Sequence, residues 1–190
     1  MSVKGKSKDD INSRKDLEMH CKRRKLNLQV TDDGVGGRRE VMPTAPYVLS
    51  KEQRKVLCEW ICGLKFPDGY ASNLSRCVDR TNWWLHNLKS HDCHVFMERL
   101  LPIATRELLP SSVWKVLTEL SQFFRDLCLK KVHMNDVIQL ESSIAEIRCT
   151  VERIFSPSFF NVMKHLPIHF PYELRVGGLL QFRRMYSYER

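Results

Sequence analysis

Two long runs of apolar residues at helical spacing, separated by a short polar link, dominate the second half of the chain. Val113, Trp114, Leu117, Leu120, Phe124 and Leu127 make up the first run, and Val137, Leu140, Ile144, Ile147, Val151 and Ile154 the second. Steps of three and four place each set on a single helical stripe. Two such stripes joined by a short link cover each other best as an antiparallel helical hairpin. Ser111 or Ser112 is placed to cap the first helix, and Lys130-Lys131 bring positive charge to its end, where the helix dipole favours it. Asn135 or Asp136 opens the second helix, and Pro157 lies beyond its end. No alternating strand pattern of comparable length competes. The expected class is mainly α, an irregular helical domain built on the hairpin.

The remaining text is more broken. After Ala45-Pro46-Tyr47, Ser50 and Gln53 form a capping-box pattern ahead of Val56, Leu57, Trp60, Ile61 and Leu64, with Gly63 and Pro67 closing the segment. Between Phe66 and Asp92, Pro67-Asp68-Gly69 marks a turn and polar residues scatter among aromatics, so a long loop with one short element is expected. Val95, Phe96, Leu100 and Leu101 fit a helix from Cys93, interrupted at Pro102 and resuming through Leu108. Phe159, Phe160, Val162, Met163 and Leu166 suggest a third apolar helix. From Gly177 to Arg190 a further helical pattern opens and stops without a cap, so the domain, residues 46–190, is expected to be truncated at its C-terminal end.

Residues 1–45 hold 11 Lys and Arg against 7 Asp and Glu, with few large apolar residues and the breakers Asp32-Asp33-Gly34 and Gly36-Gly37. They are expected to form a flexible basic tail with one short helix around Ser13–His20. The cluster Lys22-Arg23-Arg24-Lys25 reads either as a nuclear-import or phosphate-binding patch or as a solvated charge run. The whole chain, 190 residues, carries a net charge of +9, which makes an acidic partner such as DNA the first to consider. No stretch approaches the roughly 20 apolar residues of a membrane span, and the start lacks a signal-peptide core. An intracellular protein without a membrane role is expected. Its seven cysteines sit mostly in apolar helical text, where a free thiol acts as a small hydrophobe.

Several constellations could carry chemistry. His165 and His169 stand four apart, which lets two imidazoles on one helix face reach one metal. Two ligands alone bind zinc weakly, and the other reading is two histidines packed under a helix end. In His91-Asp92-Cys93-His94 the residue types suit a metal or an acid–base pair, but Ser90 or Asp92 can equally serve as a helix cap. Cys58 and Cys62 fall on an apolar helix and read as core thiols. The loop residues Arg76, Arg80, Trp83, Trp84, Lys89 and His91 could grip phosphates and stack bases, or simply pack. Neither a phosphate-binding loop nor a serine-hydrolase elbow occurs.

Longer peptides are more specific. Ala45-Pro46-Tyr47-Val48-Leu49-Ser50-Lys51-Glu52, the stretch from Phe66-Pro67-Asp68-Gly69-Tyr70 to Cys77, and Leu88-Lys89-Ser90-His91-Asp92-Cys93-His94 resemble the uncharacterised domain that follows the transposase domain in plant CACTA (En/Spm) transposon proteins. The resemblance continues through Leu100-Leu101-Pro102-Ile103-Ala104, Leu117-Thr118-Glu119-Leu120-Ser121 and Met185-Tyr186-Ser187-Tyr188-Glu189-Arg190, and departs at Thr81–His86 and Phe182-Arg183-Arg184. It implies kinship with cut-and-paste enzymes whose two aspartates and one glutamate hold divalent metals. In the similar V(D)J recombinase, a histidine pair shortly before the glutamate completes a zinc site with a distant Cys-x-x-Cys. Carried to this chain, the resemblance implies Glu189 as the catalytic glutamate and His165 and His169 as half of a structural zinc site.

The expected function is a transposon-derived fragment, the helical insertion and C-terminal edge of a CACTA-type transposase. It is not an enzyme alone, it holds no cofactor alone, and it takes zinc and magnesium only within an intact transposase. Its expected partners are DNA and the missing upstream transposase domain, and its expected place is the nucleus. The alternatives are a stand-alone nucleic-acid-binding module using the basic tail and the Arg76–Lys89 loop, and a decayed reading frame.

Overall fold

The computed structural model describes residues 9–20, 26–32, 38–67, 73–156, 159–160 and 162–179. The fold is mainly α, as the sequence predicts. Its centre is the hairpin of α5, Ser111–Leu127, and α6, Met134–Ile154, which pack against each other. Between them Val113, Val116, Phe123, Leu127, Leu140, Ile144, Ile147 and Val151 are buried in one cluster. Removing each such side chain from water stabilises the fold by about 1.5–3 kcal/mol. Neither expected cap is used: Pro110 precedes α5 without a side-chain bond, its fixed φ suiting that position. At α6, the Asp136 carboxylate accepts from the His133 N–H at 3.0 Å while the Asp136 N–H donates to the His133 carbonyl, so the cap residue, His133, lies ahead of the expected Asn135 or Asp136.

A second, smaller core forms around α2, Lys51–Gly63. Ser50 and Gln53 make the predicted capping box, and Gln53 also donates to the Leu108 carbonyl at 2.6 Å, tying α2 to the chain just before α5. Ile61 and Cys58 pack on Leu74, Val78, Val95 and Leu100. The expected 66–92 loop contains, among the described residues, a 3-10 turn at Leu74–Cys77 and a two-stranded antiparallel ribbon, β3 at Val78–Asp79 and β4 at Trp84–Leu85. Nearer the N-terminus lie two further strands, β1, Gln29–Asp32, and β2, Arg38–Val41.

The expected break at Pro102 does not occur. The segment runs as α3, Ser90–Val95, then a π turn at Phe96–Leu100, then α4, Leu101–Thr105. Pro102 falls in the first turn of α4, where its missing N–H is least costly. The third apolar helix is also shorter than its periodicity suggests. Among the described residues of this segment, Val162–His165, α7, forms an α-helix before Pro167 tightens the chain into a 3-10 turn at Leu166–Ile168. A further helix, α8 at Phe170–Gly177, packs on α6 and α5, and Gly178 ends it with a φ of 75° that favours glycine.

Within residues 1–45 the structure shows α1, Ile11–His20, and the β1–β2 ribbon. Asp10 caps α1 by accepting from the Ser13 N–H at 2.7 Å. Arg14 is buried: it donates to both carboxylate oxygens of Asp9, at 2.6 and 2.8 Å, and to the Leu26 carbonyl at 2.8 Å. Leu17, Leu26 and Ala45 form a small cluster against Tyr47. Tyr47 in turn stacks on Phe155 with ring centroids 4.6 Å apart, so one aromatic ring joins this unit to the hairpin core. Burial pushes the Tyr47 phenol above its ordinary pKa, and the nearby charge of Asp9 adds to that. No helix among the described residues is long and apolar enough to cross a membrane.

Candidate functional site

The short ribbon gains its shape from Asp79. Its carboxylate accepts from the Thr81 N–H at 2.8 Å, the Asn82 N–H at 3.3 Å and the Asn82 side-chain amide at 2.9 Å. These bonds, the Asn82 side chain first, hold that carboxyl below the ordinary aspartate range. The tight turn forces Trp83 into the left-handed region, with φ of 56°, an uncommon state for a bulky residue that costs roughly 1–2 kcal/mol. Backbone strain of this kind is often kept where a side chain must be aimed. Here the result is a pair of adjacent indoles with different surroundings. Trp83 is half-buried against the α2 core, whereas Trp84 keeps 38% of its surface exposed.

Helix α2 meets this ribbon with cations. The Arg54 guanidinium lies over the Trp84 ring at 4.4 Å from its centroid, and the Lys55 ammonium over Trp83 at 5.6 Å. Arg54 Nε has no hydrogen-bond acceptor among the described residues, so the ring is its recorded partner there. Because α2 also touches the Leu74–Cys77 turn and both strands, exposed Lys51, Lys55, Arg76 and Arg80 belong to neighbouring elements. Residues 51–89 hold seven Lys and Arg against four Asp and Glu. The loop half of this face was legible in the sequence, but Arg54 and Lys55 were missed. Their signal, a Lys51-x-x-Arg54-Lys55 polar stripe on α2, reads alone as an ordinary solvated face.

The other candidates fare differently. His165 ends α7 and His169 precedes α8; both are exposed, and their ring centroids lie 5.1 Å apart in an edge-on arrangement. Pro167 and the 3-10 turn bring them together, rather than one regular helix face. Among the described residues no group of three or more His, Cys, Asp and Glu side chains could hold a metal, so this pair would need further ligands to form a zinc site. Glu189 lies outside the described residues.

In the His91–His94 segment, neither Ser90 nor Asp92 is the cap. Lys89 precedes α3 without a side-chain bond, and Asp92 is 1% exposed. His94 approaches Glu98 at 3.5 Å, while His91 and Cys93 face solvent. Burial, and after it the nearby charge of Asp92, raises the pKa of the Cys77 thiol above its ordinary value. Burial likewise raises the Cys58 thiol, in keeping with a core role.

Residues 127–190 match the family model of the domain of unknown function DUF4218. No curated protein and no solved structure matches the chain. The DUF4218 segment starts at the last residue of α5 and takes in α6, both histidines and Glu189, but it leaves out the α2–ribbon face. It is an uncharacterised family, so the match carries no activity with it.

Proposed function

We propose that this chain is a non-catalytic, transposon-derived module that binds DNA in the nucleus through its α2–ribbon face. The observation that carries this reading is the exposed Trp84 ring held beneath the Arg54 guanidinium, with Lys51, Lys55, Arg76 and Arg80 on adjoining elements. Cations fix the position of a nucleic-acid backbone, and an exposed indole offers a surface on which an unpaired base stacks. The Lys22–Lys25 cluster, outside the described residues, adds charge to the same chain. Binding of this kind needs no reaction and no cofactor.

Each neutralised phosphate contributes about 0.9 to the logarithmic salt slope on duplex DNA. Arg54→Ala, Arg76→Ala and Arg80→Ala together are expected to weaken duplex binding about tenfold or more at low salt and to reduce that slope by about 2–3. Trp84→Ala should weaken single-stranded DNA more than duplex, since stacking is worth about 1–3 kcal/mol per base. An unchanged slope in the triple variant, or no detectable binding at low salt, would sink the proposal.

A second reading has its own support. The match on residues 127–190 falls on the part of the chain where the CACTA resemblance places Glu189 and the histidine pair. In that reading the chain is the helical insertion and C-terminal edge of a transposase, working with an upstream domain that supplies the two aspartates and the Cys-x-x-Cys. Zinc and magnesium then bind only in the intact enzyme. Elemental analysis of the chain alone should find no stoichiometric zinc, and co-expression with a CACTA transposase domain should restore it. The double variant His165→Ala, His169→Ala must lose that restored zinc; persistence would remove both histidines from the site.

A further inference from the structure

The base of the β3–β4 ribbon and the start of α3 bring two cysteines to one short stretch of backbone. The His86 N–H donates to the Cys77 carbonyl at 2.8 Å, which closes the ribbon, and the Cys77 thiol donates to the next carbonyl, that of Asn87, at 3.7 Å. The Cys93 thiol, in the first turn of α3, donates back to the Leu88 carbonyl at 4.0 Å. Asn87 and Leu88 are consecutive, their Cα atoms about 3.8 Å apart, so both sulfurs converge on a single dipeptide. Burial first, and then the Asp92 charge, opposes ionisation of Cys77, and the Cys93 sulfur adds to both. That third contribution arises only between groups in electrostatic reach of each other.

The two thiols differ in access. Cys77 is 8% exposed, whereas Cys93 faces solvent. An accessible thiol that an oxidant can reach, with a sheltered thiol beside it to capture the product, is the arrangement of a redox-sensing pair. The joint between them can give, because Lys89 precedes α3 without a side-chain cap bond to hold its first turn. We propose that Cys77 and Cys93 form a reversible, peroxide-sensitive disulfide that ties α3 to the base of the ribbon. In the first step the Cys93 sulfur attacks one oxygen of hydrogen peroxide and the O–O bond breaks. The departing hydroxide takes up the thiol proton as water, and Cys93 becomes a sulfenic acid. In the second step the Cys77 sulfur attacks the Cys93 sulfur, the S–O bond breaks, and the hydroxyl leaves with the Cys77 proton as a second water. The two thiols give up two electrons, and one peroxide is reduced to two waters. A dithiol returns the pair to its reduced form by exchange. The site stands whether or not the α2–ribbon face binds DNA.

The test treats the folded full chain with hydrogen peroxide, alkylates the remaining thiols and maps tryptic peptides by mass spectrometry. Cleavage after Arg76, Arg80, Lys89 and Arg99 puts the two cysteines on separate peptides, Cys77–Arg80 and Ser90–Arg99. The expected main product is these two peptides joined, two hydrogens lighter than their sum, and dithiothreitol should return both thiols to alkylation. In Cys93→Ser, a change at an exposed position that leaves the core intact, the joined pair should vanish and Cys77 should oxidise about tenfold more slowly than in the parent chain. In Cys77→Ala, Cys93 should persist as a sulfenic acid that dimedone captures. Hydrogen exchange across residues 78–92 should slow severalfold in the oxidised chain and recover on reduction. The proposal is overturned if Cys93 oxidises while Cys77 stays open to alkylation, or if Cys93 joins another cysteine or a second copy of the chain instead. Identical products from Cys77→Ala and the parent chain overturn it as well.

Discussion

Phe123→Ala is expected to destabilise the hairpin by about 3–5 kcal/mol, the range for truncating a buried aromatic ring. The ring is 2% exposed, sits in the main cluster between α5 and α6, and meets Phe124 edge-on at 5.5 Å between centroids. The surroundings do not soften the loss, because neighbouring helices cannot close over a cavity of that size without losing their own contacts. Urea unfolding followed by circular dichroism measures the effect as a lower midpoint with little change in slope. Val116→Ala, a smaller deletion at an equally buried site, should cost less. A loss under about 1 kcal/mol for Phe123→Ala would mean that the cluster is not the stabilising centre of the fold.

Arg14→Ala is expected to release α1 from the rest of the chain at a cost of about 3 kcal/mol, the lower end of the range for unpairing a buried ion pair. The lower end applies because Asp9, left behind, keeps 21% of its side chain in contact with solvent. The Leu26 carbonyl loses its donor as well. Because Tyr47 is the ring that joins this unit to the hairpin, the loss should stay local. Hydrogen exchange is the appropriate measure: amides of Ile11–His20 should exchange far faster, while those of α5 and α6 keep their protection. Arg14→Lys should rescue little, since a lysine ammonium cannot reproduce a fork that spans both Asp9 oxygens and the Leu26 carbonyl. Unaltered protection across α1 in Arg14→Ala would refute the assignment.

The hairpin was legible because its signal is long: two stripes of apolar residues, each repeated over several turns, leave little choice of period or partner. The Ser50–Gln53 capping box was legible because every group in it is local. Where the structure departs from the reading, the deciding contact is distant or the element is short. The short helix expected around Ser13–His20 is present as Ile11–His20, but the packing of residues 1–45 was not legible: Arg14, which fixes that helix, reads as one more charge in a basic tail until Asp9 and Leu26 are seen around it. Strands of two residues, as in the Trp84 ribbon, cannot display an alternation. Pro102 reads as an interruption, yet it lies in the first turn of α4, where proline is tolerated. The candidate site was half legible for the same reason: Trp83 and Trp84 stood out as aromatics, but nothing local says that Arg54 lies over one and Lys55 over the other.

The π turn at Phe96–Leu100 has a structural consequence of its own. Its wider ring takes in one residue more than an α-turn, so the segments before and after it are out of phase by about one residue's rotation, some 100° of a 3.6-residue turn. That offset lets Val95 and Leu100, which five residues of regular α-helix would set about 140° apart, both point into the core around α2. Deleting a single residue there would restore a continuous α-helix and swing the buried Asp92 carboxylate around the axis, away from the interior it now occupies.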